Sequence, residues 1–346
     1  MQLDLRTLEQ ALDTLFQGFS AVFEACQNQI TFQVSGSRFQ CHSQFDSYIE
    51  RVNFAAVTSD FEQNRSCKIL VAQAGTPGVP KLVWADGFFQ DREVEALLKH
   101  TRYRLHYYKE AAFWQVFDRE TCRGIQIMTG ADGAPEWDSG SPLRNFIHWH
   151  LSAPGAGLIH AGTLGIKGEG VLLVGEGGSG KSGTVLAGVM NGLETVGDDY
   201  VFIRYSGAEV WANPVFRTVK QDPSGLARLG ITDAPYVPRQ RNWQGKYQFT
   251  LTDMEPKAPA QAVRIHAVIL PVITKGGQFA FHPVTAKEAF LALVPSGVAQ
   301  VHGDRDATFA LSAKLTRSLP CYTLELGPDP AQTSGAIKDF IHRLTQ

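Results

Sequence analysis

The chain has 346 residues, of which 44% are hydrophobic and 19% charged, and its formal net charge is −2. This length favours two domains, the composition is that of an ordinary globular protein, and the near-neutral charge offers no basic surface for nucleic acid. The longest apolar runs are too short to span a bilayer. Five cysteines are scattered and never in C-x-x-C spacing, which argues against a disulfide framework and a zinc site. Because no secretion signal is visible, we expect a cytoplasmic protein without nucleic-acid or membrane partners.

The first part of the chain predicts a small α+β domain with no chemical signature of its own. Apolar residues recur at helical spacing between Asp4 and Cys26, which predicts a helix. The elements predicted after it are two strands within 29–41, strands at 68–72 and 81–85, a helix at 91–99 and a hairpin at 113–128. The polar, turn-rich stretch 130–141 then predicts a boundary between domains 1–138 and 139–346.

The second part predicts an alternation of strands and helices. Ser141 and Pro142 would begin a helix, in which His148 and His150 point to different faces and so would not chelate one ion. The further predicted elements are a strand at 171–174, a helix at 183–192, strands at 194–197, 200–205, 209–212 and 263–273, a helix from 283, a strand at 321–326 and a helix at 337–344.

Residues 175–182 read Gly-Glu-Gly-Gly-Ser-Gly-Lys-Ser and fit the pattern G-x-x-x-x-G-K-[ST]. In such a loop the backbone amides wrap the phosphates of a nucleotide, and the dipole of the following helix favours the same anion. Lys181 would reach the β- and γ-phosphates, and the Ser182 hydroxyl would coordinate Mg²⁺. The predicted nucleotide-binding residues are Gly175, Glu176, Gly177, Gly178, Ser179, Gly180, Lys181, Ser182 and Gly183.

Two adjacent acids, Asp198 and Asp199, follow the helix of this loop. In most proteins with such a loop a second apolar strand ends in an acid that holds the metal, but the strand 267–270 ends in Pro271. One acid of the pair could instead contact the metal while the other accepts a proton from an incoming hydroxyl, or the pair could cap a turn. His160, just before the strand that leads into the loop, could serve the site or pack in the core.

Residues 158–202 resemble the catalytic core of the HPr kinase/phosphorylase family. The segments that carry the resemblance are Leu-Ile-His-Ala at 158–161, the strand and loop at 170–182, and Val-Gly-Asp-Asp-Tyr-Val-Phe at 196–202. His160 lies 21 residues before Lys181 and Asp199 lies 18 residues after it, close to the family's spacing. The resemblance extends over residues 143–275. It implies an α/β P-loop kinase core of the HPr kinase/PEP carboxykinase type, preceded by the smaller α+β domain.

The resemblance also implies roles for individual residues. Asp199 would act as base toward a serine hydroxyl, and Arg264 would match a family arginine that steadies the γ-phosphoryl group. The family's metal-binding Glu lies in an Arg-Gly signature that has no clear match here, and Asp222 is nearest to it in position. The implied catalytic residues are Asp199, His160, Lys181 and Arg264, and the implied metal ligands are Ser182, Asp198 and Asp222.

The chain is similar to divergent HPr-kinase-like proteins, some of which phosphorylate serine on ribosomally made peptides such as lasso precursors. We therefore expect a kinase that uses ATP and Mg²⁺ to phosphorylate a serine hydroxyl of a peptide or protein, with the first domain helping to select the acceptor. Two alternatives stay open, namely a kinase of free serine or a sugar and a nucleotide-dependent switch with little transfer activity. Because HPr kinases form symmetric oligomers, a homo-oligomer is also open.

Overall fold

The structure is a computed structural model that describes residues 4–57, 65–81, 91–274 and 279–346. The chain divides into two compact units. The first unit comprises Met1–Phe54, Thr58–Leu151 and His302–Asp304, and the second comprises Ala55–Val57, Ser152–Val301 and Arg305–Gln346. The main division therefore falls at Leu151, later than the predicted boundary after residue 138. Within the described ranges, no helix is both long and apolar enough to cross a membrane.

The first unit combines helices with one mixed sheet. Its elements are α1 (Leu5–Gln17), α2 (Phe19–Ala25), β1 (Asn28–Val34), β2 (Ser37–Ser43), α3 (Asp46–Ala55), β3 (Arg65–Gln73), α4 (Asp91–Leu98), β4 (Tyr103–Tyr108), β5 (Phe113–Asp118), β6 (Arg123–Met128) and α5 (Arg144–Leu151). The strand order across the sheet is β1-β2-β3-β6-β5-β4. Strands β2, β3 and β6 run parallel to one another, and the other neighbouring pairs are antiparallel.

Gly18 divides the predicted N-terminal helix into α1 and α2. Leu8, Leu12 and Leu15 are buried on one face of α1, as their helical spacing predicts. At Gly18, a Cβ atom would lie 2.6 Å from the carbonyl oxygen of Gly78. Only glycine permits so close an approach of two backbones, and α1 ends and α2 begins on either side of this residue.

Helix α5 belongs to the first unit, although the sequence placed it in the second domain. The ring of Phe146 lies against Gly124 of β6, where a Cβ would come within 2.6 Å of it. Phe117 on β5 packs against the same ring, with the two centroids 6.4 Å apart. His150, one turn further along, meets the ring of Phe39 on β2 edge-on. This packing of α5 on the first sheet explains why the first unit continues past residue 138.

The second unit contains a second mixed sheet, a two-stranded ribbon and several helices. Its elements are β7 (Ala156–Ile159), β8 (Gly162–Ile166), β9 (Glu169–Leu173), α6 (Lys181–Met190), β10 (Val201–Ser206), β11 (Glu209–Pro214), β12 (Thr218–Gln221), α7 (Pro223–Leu229), β13 (Tyr247–Thr250), α8 (Leu251–Met254), β14 (Val263–Ile273), β15 (Ala280–Val284), α9 (Ala286–Gln300), α10 (Arg305–Ser318), β16 (Cys321–Leu326) and α11 (Pro330–Thr345). The sheet follows the order β15-β16-β14-β11-β10-β7, with β9 paired to β14 and β8 to β9. Strands β12 and β13 form the ribbon.

Strand β14 organises this sheet, because β9 and β16 both pair with it in parallel. Leu172 of β9 packs on one face with residues of α9 and α10. Its neighbours Val171 and Leu173 pack on the other face with residues of α6 and α11, since successive side chains of a strand point to opposite faces. Helices thus cover both faces, and the carboxyl ends of the parallel strands are where such sheets bind ligands.

Two predicted elements differ from the structure. Residues 194–197 do not form a strand, and Glu194 makes an isolated bridge instead. Pro283 lies in β15, and α9 begins only after it, where Thr285 forms a capping box. The turn chemistry at Thr285 is a stronger helix start than the proline. Of the predicted strand at 81–85, only residue 81 is among the described residues.

Candidate active site

The glycine loop, residues 174–180, connects the end of β9 to the start of α6. The Val174 amide donates a 2.9 Å hydrogen bond to β14, which fixes the beginning of the loop on the sheet. Gly175, Gly178 and Gly180 have φ angles of 144°, 86° and 101°, a region that residues with side chains rarely adopt. A Cβ at Gly178 would meet no described atom within 4 Å. The loop therefore has a backbone conformation that requires glycine at these positions, and it is open at Gly178.

Helix α6 begins at Lys181, directly after the loop. No described side chain caps it at Gly180, so its first amide groups are available to an anion, which the helix dipole also favours. The Lys181 ammonium donates to the carbonyl oxygens of Gly175 at 2.5 Å and Glu176 at 3.0 Å. Burial lowers the pKa of Lys181, and the nearby aspartate pair opposes this effect.

The carboxylate of Asp198 is buried beside the first turn of α6, with 4% of the residue exposed. The Ser182 side chain lies beside it and favours its charged form, while its Oδ1 atom has no hydrogen-bond partner among the described residues. Burial raises the pKa of Asp198 to about 6, and the charge of Asp199 acts in the same direction. Because a buried polar atom without a partner is unfavourable, a cation bound at Oδ1 would stabilise this carboxylate.

The carboxylate of Asp199 is held from two sides. Its Oδ1 lies 3.0 Å from His160 Nε2, and its Oδ2 lies 3.2 Å from Lys220 Nζ. An ionised carboxylate only accepts hydrogen bonds, so Nε2 carries the proton of the imidazole. Burial by itself would raise the pKa of Asp199, but the Lys220 charge and the His160 hydrogen bond together hold it well below its usual range. Asp199 is therefore ionised at neutral pH and fixed in orientation.

The structure thus brings most of the predicted site together. Asp198 lies beside Ser182, and Asp199 contacts His160. Both aspartates act electrostatically on the Lys181 ammonium. The residues gathered beside the loop are His160, Lys181, Ser182, Asp198 and Asp199.

Arg264 lies at the opposite end of the sheet, which corrects the expectation that it steadies the γ-phosphoryl group. It pairs with Glu169, the first residue of β9, whereas the loop follows Leu173, the last residue of that strand. At about 3.3 Å per residue, the length of β9 separates the two levels by about 13 Å. The guanidinium instead forms an ion pair with Glu209 at 3.0 Å. The start of β14 is far from the loop because β14 runs parallel to β9.

Asp222 caps helix α7. Its Oδ1 accepts hydrogen bonds from the Ser224 hydroxyl at 2.5 Å and the Gly225 amide at 2.8 Å. In the described part of the chain, no hydrogen bond joins it to Ser182 or Asp198. The structure therefore shows Asp222 as a helix cap, and its role as a metal ligand stays a prediction.

Sequence reasoning missed Lys220. It belongs to β12, a strand of four residues that is too short to show a period. Its charge was the one available signal, but nothing in the spacing relates it to Asp199, 21 positions earlier. The ion pair appears only when β12 folds against α6.

Ser182 and Asp198 fit a divalent cation of the Mg²⁺ type, which prefers oxygen ligands. The buried Oδ1 of Asp198 has no described partner, and the Ser182 hydroxyl lies beside the same carboxylate. Among the residues the structure describes, no group of three or more His, Cys, Asp or Glu side chains could hold a metal ion. Phosphate oxygens would therefore have to complete the coordination, as they usually do for Mg²⁺.

Comparisons with known proteins give distant likenesses to solved structures alone. No protein-family model matches the chain, and no curated protein matches it. Among solved structures, it is similar to the Hpr(Ser) kinase/phosphatase from Coxiella burnetii, with a TM-score of 0.33 and 12% sequence identity. The alignment covers 55% of this chain and 99% of that one. At these values the likeness indicates a distant fold relationship and nothing more.

Proposed function

We propose that this protein is an ATP- and Mg²⁺-dependent kinase that phosphorylates a serine hydroxyl on a peptide or protein. The observation that carries this proposal is the aspartate pair beside the glycine loop. Asp198 lies beside Ser182 at the start of α6, and Asp199 follows it in the chain, oriented by His160. A site that only binds nucleotide needs the loop, whereas transfer to a hydroxyl also needs a base placed near the terminal phosphate.

The reaction would be an in-line phosphoryl transfer. The acceptor oxygen attacks the γ-phosphorus, the bond between that phosphorus and the β–γ bridging oxygen breaks, and ADP leaves. Asp199 takes the proton of the acceptor hydroxyl, because its carboxylate keeps free lone pairs beside its two contacts. A bound Mg²⁺, held by Ser182 and Asp198, supplies positive charge to the phosphate oxygens.

The remaining residues position these groups. Lys181 rests on the loop carbonyls of Gly175 and Glu176, from which its flexible stem can turn to the β- and γ-phosphates. His160 keeps the Asp199 carboxylate in one orientation through its Nε2–H. The site residues gathered at the loop belong to the second unit. We assign selection of the peptide acceptor to the first unit.

Transfer of label from [γ-³²P]ATP tests this function. Three acceptor pools are incubated separately with the protein: serine-containing peptides, the same peptides with alanine for serine, and a mixture of free serine and sugars. We expect label in the first pool alone. Label only in the metabolite pool would reassign the acceptor, and slow hydrolysis without a labelled acceptor would favour a nucleotide-dependent switch.

The base is tested by Asp199→Asn in the same assay. We expect transfer to fall by about 10²–10⁴-fold, with MgATP affinity within about threefold of wild type because Asp199 holds no part of the loop. Full transfer activity in this variant would show that Asp199 is not the base.

A further inference from the structure

Strand β12 is fixed against the first turns of α6, and this fixes the direction of Lys220. Val219 packs in a core cluster with Leu186 of α6. Gln221, on the same face of the strand, reaches the helix start, where a Cβ at Gly183 would lie 3.2 Å from its amide nitrogen. Because side chains alternate along a strand, Lys220 points the other way, toward Asp199.

Among the described residues, the ammonium of Lys220 has one hydrogen-bond partner, Asp199. Its Nζ lies 3.2 Å from Asp199 Oδ2, and its side chain is 18% exposed. An ammonium has three N–H donors, so a single contact with Asp199 leaves two of them for other acceptors. A partly buried pair of this kind is also screened less by salt than an exposed surface pair.

Phosphoryl transfer at this site would concentrate negative charge. Asp198, Asp199 and the triphosphate would lie together, and charge builds on the oxygens of the transferred group. Lys181 serves the loop side of the phosphates. Arg264 cannot help, because the sheet places it about 13 Å below the loop. The acceptor side of the site therefore needs a cation, and Lys220 is placed there.

The role of Asp199 as base places the Lys220 ammonium near the transferred phosphoryl group. Asp199 must come within hydrogen-bond distance of the acceptor hydroxyl, whose oxygen lies about 3–3.5 Å from the γ-phosphorus before transfer. A cation 3.2 Å from Asp199 Oδ2 therefore borders both the acceptor oxygen and the oxygens of the γ-phosphoryl group. The four-carbon stem of lysine allows the small movement between these partners.

We propose that Lys220 is a catalytic residue: its ammonium pairs with Asp199 in the nucleotide-free protein and donates to an oxygen of the γ-phosphoryl group during transfer. This inference rests on the proposed kinase function. Lys220 forms no covalent bond in this step. Because the contact forms on the transferring group, Lys220 stabilises the transition state more than it stabilises bound nucleotide.

The test compares two probes, MgADP alone and MgADP with aluminium fluoride, which mimics the phosphoryl group in transfer. Each is titrated into wild type, Lys220→Met, Lys220→Arg and the control Lys314→Met, a lysine that stacks on Tyr205 away from the loop. We expect Lys220→Met to weaken the aluminium fluoride complex at least about tenfold with MgADP affinity unchanged. Lys220→Arg should recover much of this loss, and Lys314→Met should match wild type.

Each outcome has one meaning. Equal affinity of Lys220→Met and wild type for the aluminium fluoride complex would overturn the role of Lys220 alone. An equal loss of affinity for both probes would also overturn it, because such a loss would indicate a structural effect. Thermal unfolding of each variant checks that it folds. Failure of the wild-type protein to bind MgADP would instead refute the proposed kinase function.

Discussion

Three glycines of the loop should respond to alanine in a graded way. Gly177 has no positive φ, and a Cβ there would meet no described atom within 4 Å. Gly178 has a φ of 86° with the same open space, so alanine would introduce backbone strain alone. Gly180 has a φ of 101°, and its Cβ would lie 2.4 Å from a methyl of Leu326. Alanine there would add crowding to strain.

The structure sets the size of each effect. Gly177→Ala should change the free energy of unfolding by less than about 0.5 kcal/mol, as open surface substitutions do. Gly178→Ala should cost about 1–2 kcal/mol for a left-handed backbone with a side chain. Gly180→Ala adds overpacking, which costs about 1–3 kcal/mol, for a total of about 2–5 kcal/mol. We expect the lower half of that range, because the Leu326 methyl ends a flexible side chain and can shift.

Urea unfolding and MgATP titration of the same three variants provide the measurement. MgATP affinity should fall in the same order, since we propose that the loop amides bind phosphate in this positive-φ conformation of the glycines. Gly177→Ala is the control for the loss of a loop glycine as such. If Gly180→Ala unfolded and bound MgATP like Gly177→Ala, the described backbone of the loop would not be the one that binds nucleotide.

Three further predictions follow from other parts of the chain. Arg264→Met should leave the labelled-ATP transfer rate within about twofold of wild type. Loss of the ion pair with Glu209 should lower the free energy of unfolding by about 0–1 kcal/mol. A loss of transfer rate comparable to that of a loop variant would contradict the placement of Arg264. Gly18→Ala should lower the free energy of unfolding by about 1–3 kcal/mol, since its Cβ would lie 2.6 Å from the Gly78 carbonyl oxygen, and an unchanged urea midpoint would contradict that contact. Burial lowers the pKa of His150 to about 4, below its unfolded value near 6.5. The free energy of unfolding should therefore fall by about 3 kcal/mol as the pH decreases from 6.5 to 4. Urea unfolding of His150→Leu should show a correspondingly smaller pH dependence, and an unaltered one would exclude His150 as its source.

The backbone conformation of the loop could be predicted from the sequence because it is local. Residues 175–182 define a loop whose backbone form is set by its own glycines, and the apolar runs on either side predict the strand and helix that hold it. Asp199 and His160 could be predicted through their distances from Lys181 along the chain. Their contact, at 3.0 Å, stayed a prediction until the strands that lead to them were placed.

Arg264 and Lys220 show what the sequence could not provide. The position of Arg264 depends on the direction of β14 relative to β9, and strand direction has no signature in the residues themselves. Lys220 depends on the pairing of β12 with β13, which joins Gln221 to Tyr247 across an intervening helix. Such non-local pairings fix side-chain direction only after the fold forms. Arg264, which was expected in the site, thus lies outside it, and Lys220, which was not expected there, contacts Asp199.

The same three-dimensional context separates two carboxylates that are adjacent in sequence. Asp198 is buried with an oxygen that lacks a described partner, and burial raises its pKa to about 6, so a cation arriving there would displace a proton. For Asp199, burial acts in the same direction but Lys220 and His160 outweigh it, and the carboxylate stays ionised. Neighbouring acids with opposite pKa shifts can take different tasks in one reaction. Their environments leave an oxygen of Asp198 without a described partner and keep Asp199 ionised between two contacts, a difference that spacing alone could not show.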